Sequence, residues 1–316
     1  MKLKTFLLLA ALTMFVALPQ MITVKYYLHL CILALIWVIM AQGQNLIQGY
    51  TGYVSIVQAG FMGIGAYSSA LMGSHFGLPV GLTIILAPLV TAVFALVAGY
   101  PSLRVKGHYF AIVTLAFNMV IFIVLLNFTH LTNGEAGISG IPKPGYGRGA
   151  MIDFHDREVY YYFVLAIAVL ITALAALIVR SRVGQILLAI RQNEDLVASV
   201  GVAAWRYKLF AFVISAMFAG LAGALYAHYQ SFINPEIFGV AQSMDAILAV
   251  IIGGSGTLTG PVIGAFFVVF LPEYLRFADS FRLILYGLIL VLATIFMPRG
   301  IVGLARDLGA RFRGRK

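Results

Sequence analysis

The sequence predicts an all-α, polytopic helical bundle that crosses a membrane about ten times. Hydrophobic residues make up 62% of the 316 residues and charged residues only 10%, whereas roughly 25% are charged in an ordinary soluble domain. Apolar runs long enough to cross a hydrocarbon core of about 30 Å recur along the whole chain. Because these runs do not alternate apolar and polar residues with period two, they exclude a membrane β-barrel. We expect a single transmembrane domain over residues 1–316.

The predicted spans are the apolar runs between polar, glycine-rich or proline-rich connections. They cover residues 5–19, 27–43, 54–73, 79–100, 109–128, 160–179, 209–229, 240–255, 260–275 and 283–298. The first run follows Lys2 and Lys4, so it has the features of either a retained helix or a signal peptide. No small-x-small cleavage site surrounds Ala17, which favours the retained helix.

Positive charges collect in alternate connections, and Lys and Arg accumulate on the cytoplasmic side of membrane proteins. They are Lys2, Lys4, Arg104, Lys106, Arg180, Arg182, Arg191, Arg206, Lys208 and the cations of the basic tail 299–316. Both termini are therefore predicted to be cytoplasmic and the loop 129–159 extracytoplasmic, with Lys25 as the main exception. The formal net charge of +10 then reflects topology and attraction to anionic lipid, and not nucleic-acid binding.

The longest connection on the predicted cytoplasmic side, 180–208, contains a short helix signal. Its residues are Asn193 as N-cap, Glu194 and Asp195 in the first turn, and Gly201 as C-terminal stop. The residues between them, 196–200, are mostly apolar. Two interpretations are open: this apolar face docks on a cytoplasmic partner, or it lies at the membrane interface against the chain's own bundle.

This loop resembles the coupling loop of ABC-importer permeases. The family pattern is Glu-Ala-Ala with a glycine shortly after it, and Asp195, Leu196 and Val197 followed by Gly201 occupy the matching positions. The acidic start and the glycine agree with the pattern, whereas the two alanines are absent. The departure separates the chain from the most typical permeases of this kind.

Three stretches in order are similar to the branched-chain amino acid permeases. They are the run 189–194, the stretch 45–71 and the stretch 212–266, and the resemblance extends from about residue 27 to residue 300. The chain length and the long outside loop resemble the M-type subunit among the two paralogous permeases of such transporters.

The resemblance implies a permease subunit in a bacterial plasma membrane. The implied partners are two cytoplasmic ATPase subunits, a paralogous permease and an extracytoplasmic solute-binding protein, and the implied solutes are leucine, isoleucine, valine or related small amino acids, amides or urea. The residues expected to couple to the ATPase are Arg191, Asn193, Glu194, Asp195 and Gly201. No cofactor, metal site or catalytic residue is expected, since the sequence has no recognisable hydrolase or metalloenzyme motif.

Small residues predict close helix packing in several spans. The main candidates are Gly60, Gly63, Gly220, Gly260 and Gly264. Gly49 and Gly52 indicate a broken start to the third span. The glycine-rich stretch 253–264 lacks the Gly-Lys-Ser/Thr ending of a phosphate loop, so we interpret it as a turn with Pro261 opening the next helix. Energy for transport must therefore come from another chain or from an ion gradient.

Polar residues within predicted spans are candidates for a solute pathway, because burying them in lipid is costly. They are Gln58, Asn118, Gln242 and Asp245. Asp245 is an acid within a predicted span, and it supports an alternative in which the chain is a self-sufficient, ion-coupled carrier. The loop 129–159 separates five predicted spans on each side, which permits an inverted repeat under either function.

Overall fold

The computed structural model describes residues 13–20, 24–145, 154, 156–276, 282–297 and 300–304. Most of the predicted first span and most of the basic tail lie outside these residues. The helices are α1 (13–20), α2 (Lys25–Gln44), α3 (Gln58–His75), α4 (Val80–Ser102), α5 (His108–Asn127), α6 (Thr129–Thr132), α7 (Arg157–Arg180), α8 (Arg182–Gln192), α9 (Glu194–Ser199), α10 (Ala204–Gln230), α11 (Val240–Gly253), α12 (Gly260–Tyr274) and α13 (Arg282–Phe296). The strands β1 (Ile138–Ser139) and β2 (Phe232–Ile233) form one short antiparallel pair.

The chain is a multi-pass, all-α membrane protein. Among the described residues, six segments are helical, long and apolar enough to cross a bilayer: Lys25–Gly49, Val80–Ser102, His108–Asn127, Arg157–Arg180, Ala204–Gln230 and Pro235–Gly253. Helix α12 is apolar but shorter, and α3 is long enough but less apolar than these six. The total of ten spans and the cytoplasmic position of both termini stay predictions.

Helix α2 forms the centre of the bundle. It contacts α7, α10, α11 and α12, and most of its residues are buried. By contrast α4, α5 and α7 each bury only a minority of their residues and present apolar side chains outwards. A helix that is apolar all round belongs in the interior or against lipid, and this bundle uses both positions.

Glycines allow α10 to approach α3 and α4 closely. A Cβ added at Gly65 would lie 2.1 Å from the carbonyl oxygen of Gly220, and one at Gly220 would lie 2.2 Å from Oγ1 of Thr91. Gly264 meets α11 in the same way, since a Cβ there would lie 1.7 Å from the carbonyl oxygen of Ala249. Side chains larger than hydrogen would force these helices apart.

The other packing candidates have different neighbours. A Cβ at Gly63 would meet Phe238 at 3.0 Å, and one at Gly60 would meet Oδ1 of Asn118 at 2.8 Å. Gly260 touches its own turn, because a Cβ there would lie 2.4 Å from the carbonyl oxygen of Gly254. Gly260 therefore shapes the α11–α12 turn more than it spaces two helices.

The chain between α2 and α3 is irregular. Helix α2 continues into a π-helical segment, Asn45–Gly49, and residues 52–57 are non-helical before α3 begins at Gln58. Gly52 has φ +80°, a backbone conformation that residues with a Cβ rarely adopt. The broken start that the glycines indicated is present, and we call residues 45–57 the broken segment.

Contacts between connections divide the bundle into two ends. The pairing of β1 with β2 joins the loop 129–159 to the link after α10. At the other end, Lys106 in the α4–α5 connection bonds to Asp195 in the loop 180–208. The strand pair joins two connections that the Lys and Arg distribution predicts to be extracytoplasmic. The Lys106–Asp195 pair joins two connections that it predicts to be cytoplasmic.

Candidate functional site

The loop 180–208 is almost entirely helical. Helix α8 follows α7 after a bend at Ser181, and α9 follows α8 after Asn193. The sequence signal covered only α9, so α8 is an additional element. The Asn193 side chain accepts a hydrogen bond from the Leu196 amide at 3.0 Å, which caps α9. Gly201, with φ +83°, lies just beyond the end of α9.

The apolar residues of α9 are divided between the chain's own core and the surface. Val197 is buried with Ile190 of α8 and Ala204 of α10 in a small apolar cluster. Leu196 of α9 is 63% exposed, and Val200, the residue directly after α9, is 71% exposed. One part of α9 therefore anchors it to the bundle, while the other part presents an apolar surface.

Glu194 points into the protein and forms a buried ion pair. The Lys208 side chain is 2% exposed and the Glu194 side chain 18%, and Lys208 Nζ lies 2.7 Å from Glu194 Oε1. Lys208 Nζ is also 3.1 Å from the Tyr53 hydroxyl oxygen and 4.4 Å from the centre of the Tyr53 ring. The Tyr53 hydroxyl donates a hydrogen bond to Glu194. Because a buried ammonium is costly unless it is paired, these contacts fix α9 to α10 and to the broken segment.

Arg191 links the loop to two turns at once. Its guanidinium donates a hydrogen bond to the carbonyl oxygen of Gly49, at the end of the π-helical segment. A Cβ at Gly52 would lie 3.2 Å from Cγ of Arg191, and one at Gly256 would lie 2.7 Å from Nη1 of Arg191. Arg191 therefore lies between the broken segment and the turn that joins α11 to α12.

The same two turns also bond directly to each other. Asn45 donates to the carbonyl oxygen of Thr257 and accepts from the amide of Gly256, both at 2.9 Å. Gln42, near the end of α2, donates to the carbonyl oxygen of Leu258 at 2.9 Å. The broken segment and the α11–α12 turn thus form one hydrogen-bonded unit against which Arg191 rests.

Asp195 points away from this unit and pairs with Lys106 at the surface. The two charged atoms lie 2.6 Å apart, with side chains 82% and 63% exposed respectively. The hydrogen bond from Lys106, together with its charge, lowers the pKa of Asp195, and the same contact raises the pKa of Lys106. The sequence grouped Glu194 with Asp195, but the structure gives the two acids opposite surroundings.

The pathway candidate Gln58 is the first residue of α3, and the candidate Asn118 of α5 contacts the start of α3. Gln58 donates to the carbonyl oxygen of Ser215 at 3.1 Å and accepts from the Ser215 hydroxyl at 3.2 Å. Asn118 Oδ1 accepts from the Gly60 amide at 2.7 Å. Both side chains are buried and hold α3 against α5 and α10.

Two hydroxyl groups complete this arrangement. The Ser243 hydroxyl of α11 accepts from the Ala59 amide at 2.9 Å, and the Thr114 hydroxyl of α5 accepts from the Ile56 amide at 3.0 Å. A helix start leaves backbone amides without helical partners, and here side chains of other helices supply them.

Gln242 and Asp245 lie on α11 and are partly buried. Gln242 Oε1 and Asn118 Nδ2 are buried atoms without a hydrogen-bond partner among the described residues. Within the same residues, no group of three or more His, Cys, Asp or Glu side chains could hold a metal ion.

Sequence reasoning missed the roles of Lys208 and Tyr53. Lys208 was counted only as a positive charge in a cytoplasmic connection, although it lies four residues inside the apolar helix α10. A single lysine within a helix so rich in apolar residues is itself a signal for a buried partner. Tyr53 follows Gly52, and only the tertiary fold brings it to Glu194.

Comparison with known proteins matches residues 26–294 to the family model described as the permease component of branched-chain amino acid transport systems. The chain is 34% identical to the high-affinity branched-chain amino acid transport system permease protein LivM of Escherichia coli, over 95% of this chain and 75% of that protein. It is 25% identical to the LivH permease protein of the same system in Escherichia coli, over 84% of this chain and 91% of that protein. A probable LivM permease protein of Methanocaldococcus jannaschii is 26% identical over 70% of this chain and 67% of that protein. No solved structure matches the chain.

Proposed function

Because the chain belongs to the family of permease components of branched-chain amino acid transport systems, we propose that it is the membrane-spanning subunit of an ATP-binding-cassette importer. The importer takes up leucine, isoleucine, valine or a related small amino acid or amide across a bacterial plasma membrane. The names of the relatives and the similarity to both permease types support pairing with a paralogous permease. Two cytoplasmic ATPases supply the energy and an extracytoplasmic binding protein delivers the solute.

The observation that carries this proposal is the exposed apolar surface of α9. Leu196 and Val200 gain nothing from facing water, yet α9 is held rigidly by Asn193, Val197 and the Glu194–Lys208 pair. A short helix with a fixed base and an apolar outer surface suits a groove on a partner. We assign that partner as the ATPase.

The contacts of α8 and α9 support a route for the movement. When the ATPases close, α9 moves with them, and Arg191 and Glu194 transmit the displacement to the broken segment and to the α11–α12 turn. An irregular segment changes its backbone angles more readily than a continuous helix does, so the broken segment is the element that switches between two states. Asn118 and Gln242 supply polar atoms for the solute beside it.

The first test is a gentle detergent pull-down of the tagged chain from its native membrane, followed by mass spectrometry. We expect one or two ATPases with nucleotide-binding motifs and a second permease to remain bound. A chain that is recovered alone, and that takes up leucine with a proton gradient as its sole energy source, would support the ion-coupled alternative. In that case Asp245→Asn should abolish uptake, whereas the importer proposal expects uptake to survive this change.

The second test isolates docking from folding. In the double variant Leu196→Glu with Val200→Glu, the ATPases should be lost from the pull-down while the second permease remains, because only the outer surface of α9 changes. Phe76→Glu is the matched control, since Phe76 is 76% exposed in the α3–α4 link at the opposite end of the bundle. Retention of the ATPases by the double variant would contradict the docking assignment.

Changing both Glu194 and Asp195 to Lys should also abolish transport while membrane insertion persists. This variant places a second cation beside Lys208, so it disrupts the base of α9 together with any docking. Normal uptake by this variant would contradict the coupling assignment of α9.

A further inference from the structure

A cavity of about 360 Å³ opens at the side of the bundle, at the same end as the loop 180–208. It lies between the last turn of α4 and the first turns of α10, and it is lined by Tyr100, Leu103, Arg104, Trp205 and Leu209. Tyr100 is 55% exposed and Trp205 is 46% exposed, and their rings meet edge to face with centres 6.4 Å apart. Tyrosine and tryptophan favour the level of the lipid headgroups, where one part of the side chain is wet and the other apolar.

Arg104 lines this cavity, and Arg206 lies beside the lining residue Trp205. The Arg104 guanidinium carbon lies 4.9 Å from the centre of the Tyr100 ring, and the Arg206 guanidinium carbon lies 5.5 Å from that of Trp205. Among the described residues, no carboxylate pairs with either arginine, whereas Lys106 and Lys208 nearby each have one. Within the described part of the chain, the positive charge at the cavity therefore has no acidic partner.

An apolar face of α4 leads from the cavity towards the middle of the predicted span. Val93 is 61% exposed, Val97 70% and Tyr100 55%, and their spacing of four and three residues aligns them on one side of the helix. Arg104 lies just beyond the end of α4 and donates a hydrogen bond to the Tyr100 hydroxyl at 3.1 Å. This side of α4 is thus an apolar strip that ends at the cavity lined by Tyr100 and Trp205, where Arg104 and Arg206 are close by.

We propose that this cavity binds an anionic phospholipid. The acyl chain lies along Val93 and Val97, and the phosphate of the headgroup bonds to Arg104 and Arg206, whose planar guanidinium groups suit a phosphate. The combination of the apolar strip with these two arginines favours a lipid over a protein segment, since a protein would have to supply both carboxylates and a matching apolar surface. The proposal concerns this chain in any membrane and does not depend on the proposed transport function.

A lipid in this cavity would affect the position of the Lys208–Glu194 ion pair. Trp205 and Arg206 belong to the same first turn of α10 that leads to Lys208, three residues after Trp205. A bound lipid would hold this turn and so favour the position in which Lys208 meets Glu194.

Trp205 provides a local probe, since the chain contains only one other tryptophan, Trp37. We would reconstitute Trp37→Phe protein in phosphatidylcholine vesicles that contain a small fraction of brominated phosphatidylglycerol, or the same fraction of brominated phosphatidylcholine. Bromine quenches tryptophan at contact distance. We expect brominated phosphatidylglycerol to quench Trp205 at least threefold more than brominated phosphatidylcholine. Equal quenching by both lipids would overturn the proposal.

The variant Arg104→Gln with Arg206→Gln, made in the same background, should lose this preference and show the same quenching by both lipids. Arg182→Gln is the matched control, because Arg182 is an exposed arginine of the same loop outside the cavity, and it should keep the preference. A preference that survives the double variant would overturn the role of the two arginines. Absence of quenching by either lipid would overturn lipid binding in favour of a protein that covers this face.

Discussion

The two acids at the start of α9 form ion pairs of nearly equal length in opposite surroundings. Glu194 meets Lys208 at 2.7 Å, with side chains 18% and 2% exposed. Asp195 meets Lys106 at 2.6 Å, with side chains 82% and 63% exposed. Distance alone would rank the two pairs as equivalent.

Exposure to solvent determines how much each ion pair contributes to stability. An exposed pair contributes little to stability because water and salt screen it. Removing one partner of a buried pair costs about 3 to 5 kcal/mol, because the remaining charge has lost both water and its counter-ion. The inner pair is therefore a structural joint between α9 and α10, and the outer pair is a weak surface contact.

The largest effect is expected for Lys208→Met, which keeps the length of the side chain and removes its charge. Glu194 is then left beside Tyr53 with no cation, so we expect a loss of about 3 kcal/mol in stability and loss of transport. Thermal melting in detergent and leucine uptake in reconstituted vesicles measure the two effects.

A double variant sharpens this result. Adding Glu194→Gln to Lys208→Met removes both charges, and we expect most of the thermal stability to return. Transport should stay low if the ion pair carries movement, and it should recover if the pair only supports folding. A stable, fully active single variant Lys208→Met would contradict the buried joint altogether.

An intermediate effect is expected for Gly256→Ala. Its Cβ would lie 2.7 Å from Arg191, so Arg191 is displaced and its bond to Gly49 weakens. A hydrogen bond from a charged group contributes about 1.5 kcal/mol or more, which corresponds to about tenfold lower uptake.

Gly140→Ala is the matched control for this change. Gly140 has the same φ of +75° as Gly256, and nothing lies within 4 Å of its added Cβ. Both variants place an alanine at the same positive φ, so a further loss in Gly256→Ala comes from its neighbours Arg191 and the Gly49 carbonyl. Equal uptake by the two variants would refute a role for Arg191.

The smallest effect is expected for Lys106→Ala. Its partner Asp195 has a lowered pKa, so the pair's contribution is complete above the unfolded value of about 4 and is lost as pH falls through the folded pKa. Lys106 has a raised pKa, so its contribution is complete below about 10 and is lost as pH rises through the folded pKa.

The ratio of uptake by Lys106→Ala to uptake by the original chain should thus stay within twofold and constant between about pH 5 and pH 9. Higher salt should bring the ratio closer to one, because it screens the exposed pair. A ratio that changes steeply near neutral pH would show that another titrating group depends on Lys106.

The sequence predicted the parts of this molecule that local chemistry determines. The apolar runs, the cap at Asn193, the end of α9 near Gly201 and the broken start before Gln58 all follow from residue types and their spacing. The sequence pattern did not predict the tertiary contacts. Nothing in the local pattern distinguishes the inward Glu194 from the outward Asp195, and Tyr53 meets Glu194 across 141 residues of chain.

The hydrogen bonds that hold α3 in the bundle have a consequence for the membrane insertion of the chain during its synthesis. Its first amides depend on side chains of α5 and α11, and Gln58 depends on α10, while α3 itself is less apolar than its neighbours. When α3 leaves the ribosome, α10 and α11 have not yet been synthesised. Stable insertion of α3 must then await the synthesis of the second half of the chain. An N-terminal fragment that ends before α7 should therefore be degraded in the cell, unless the remainder of the chain is co-expressed.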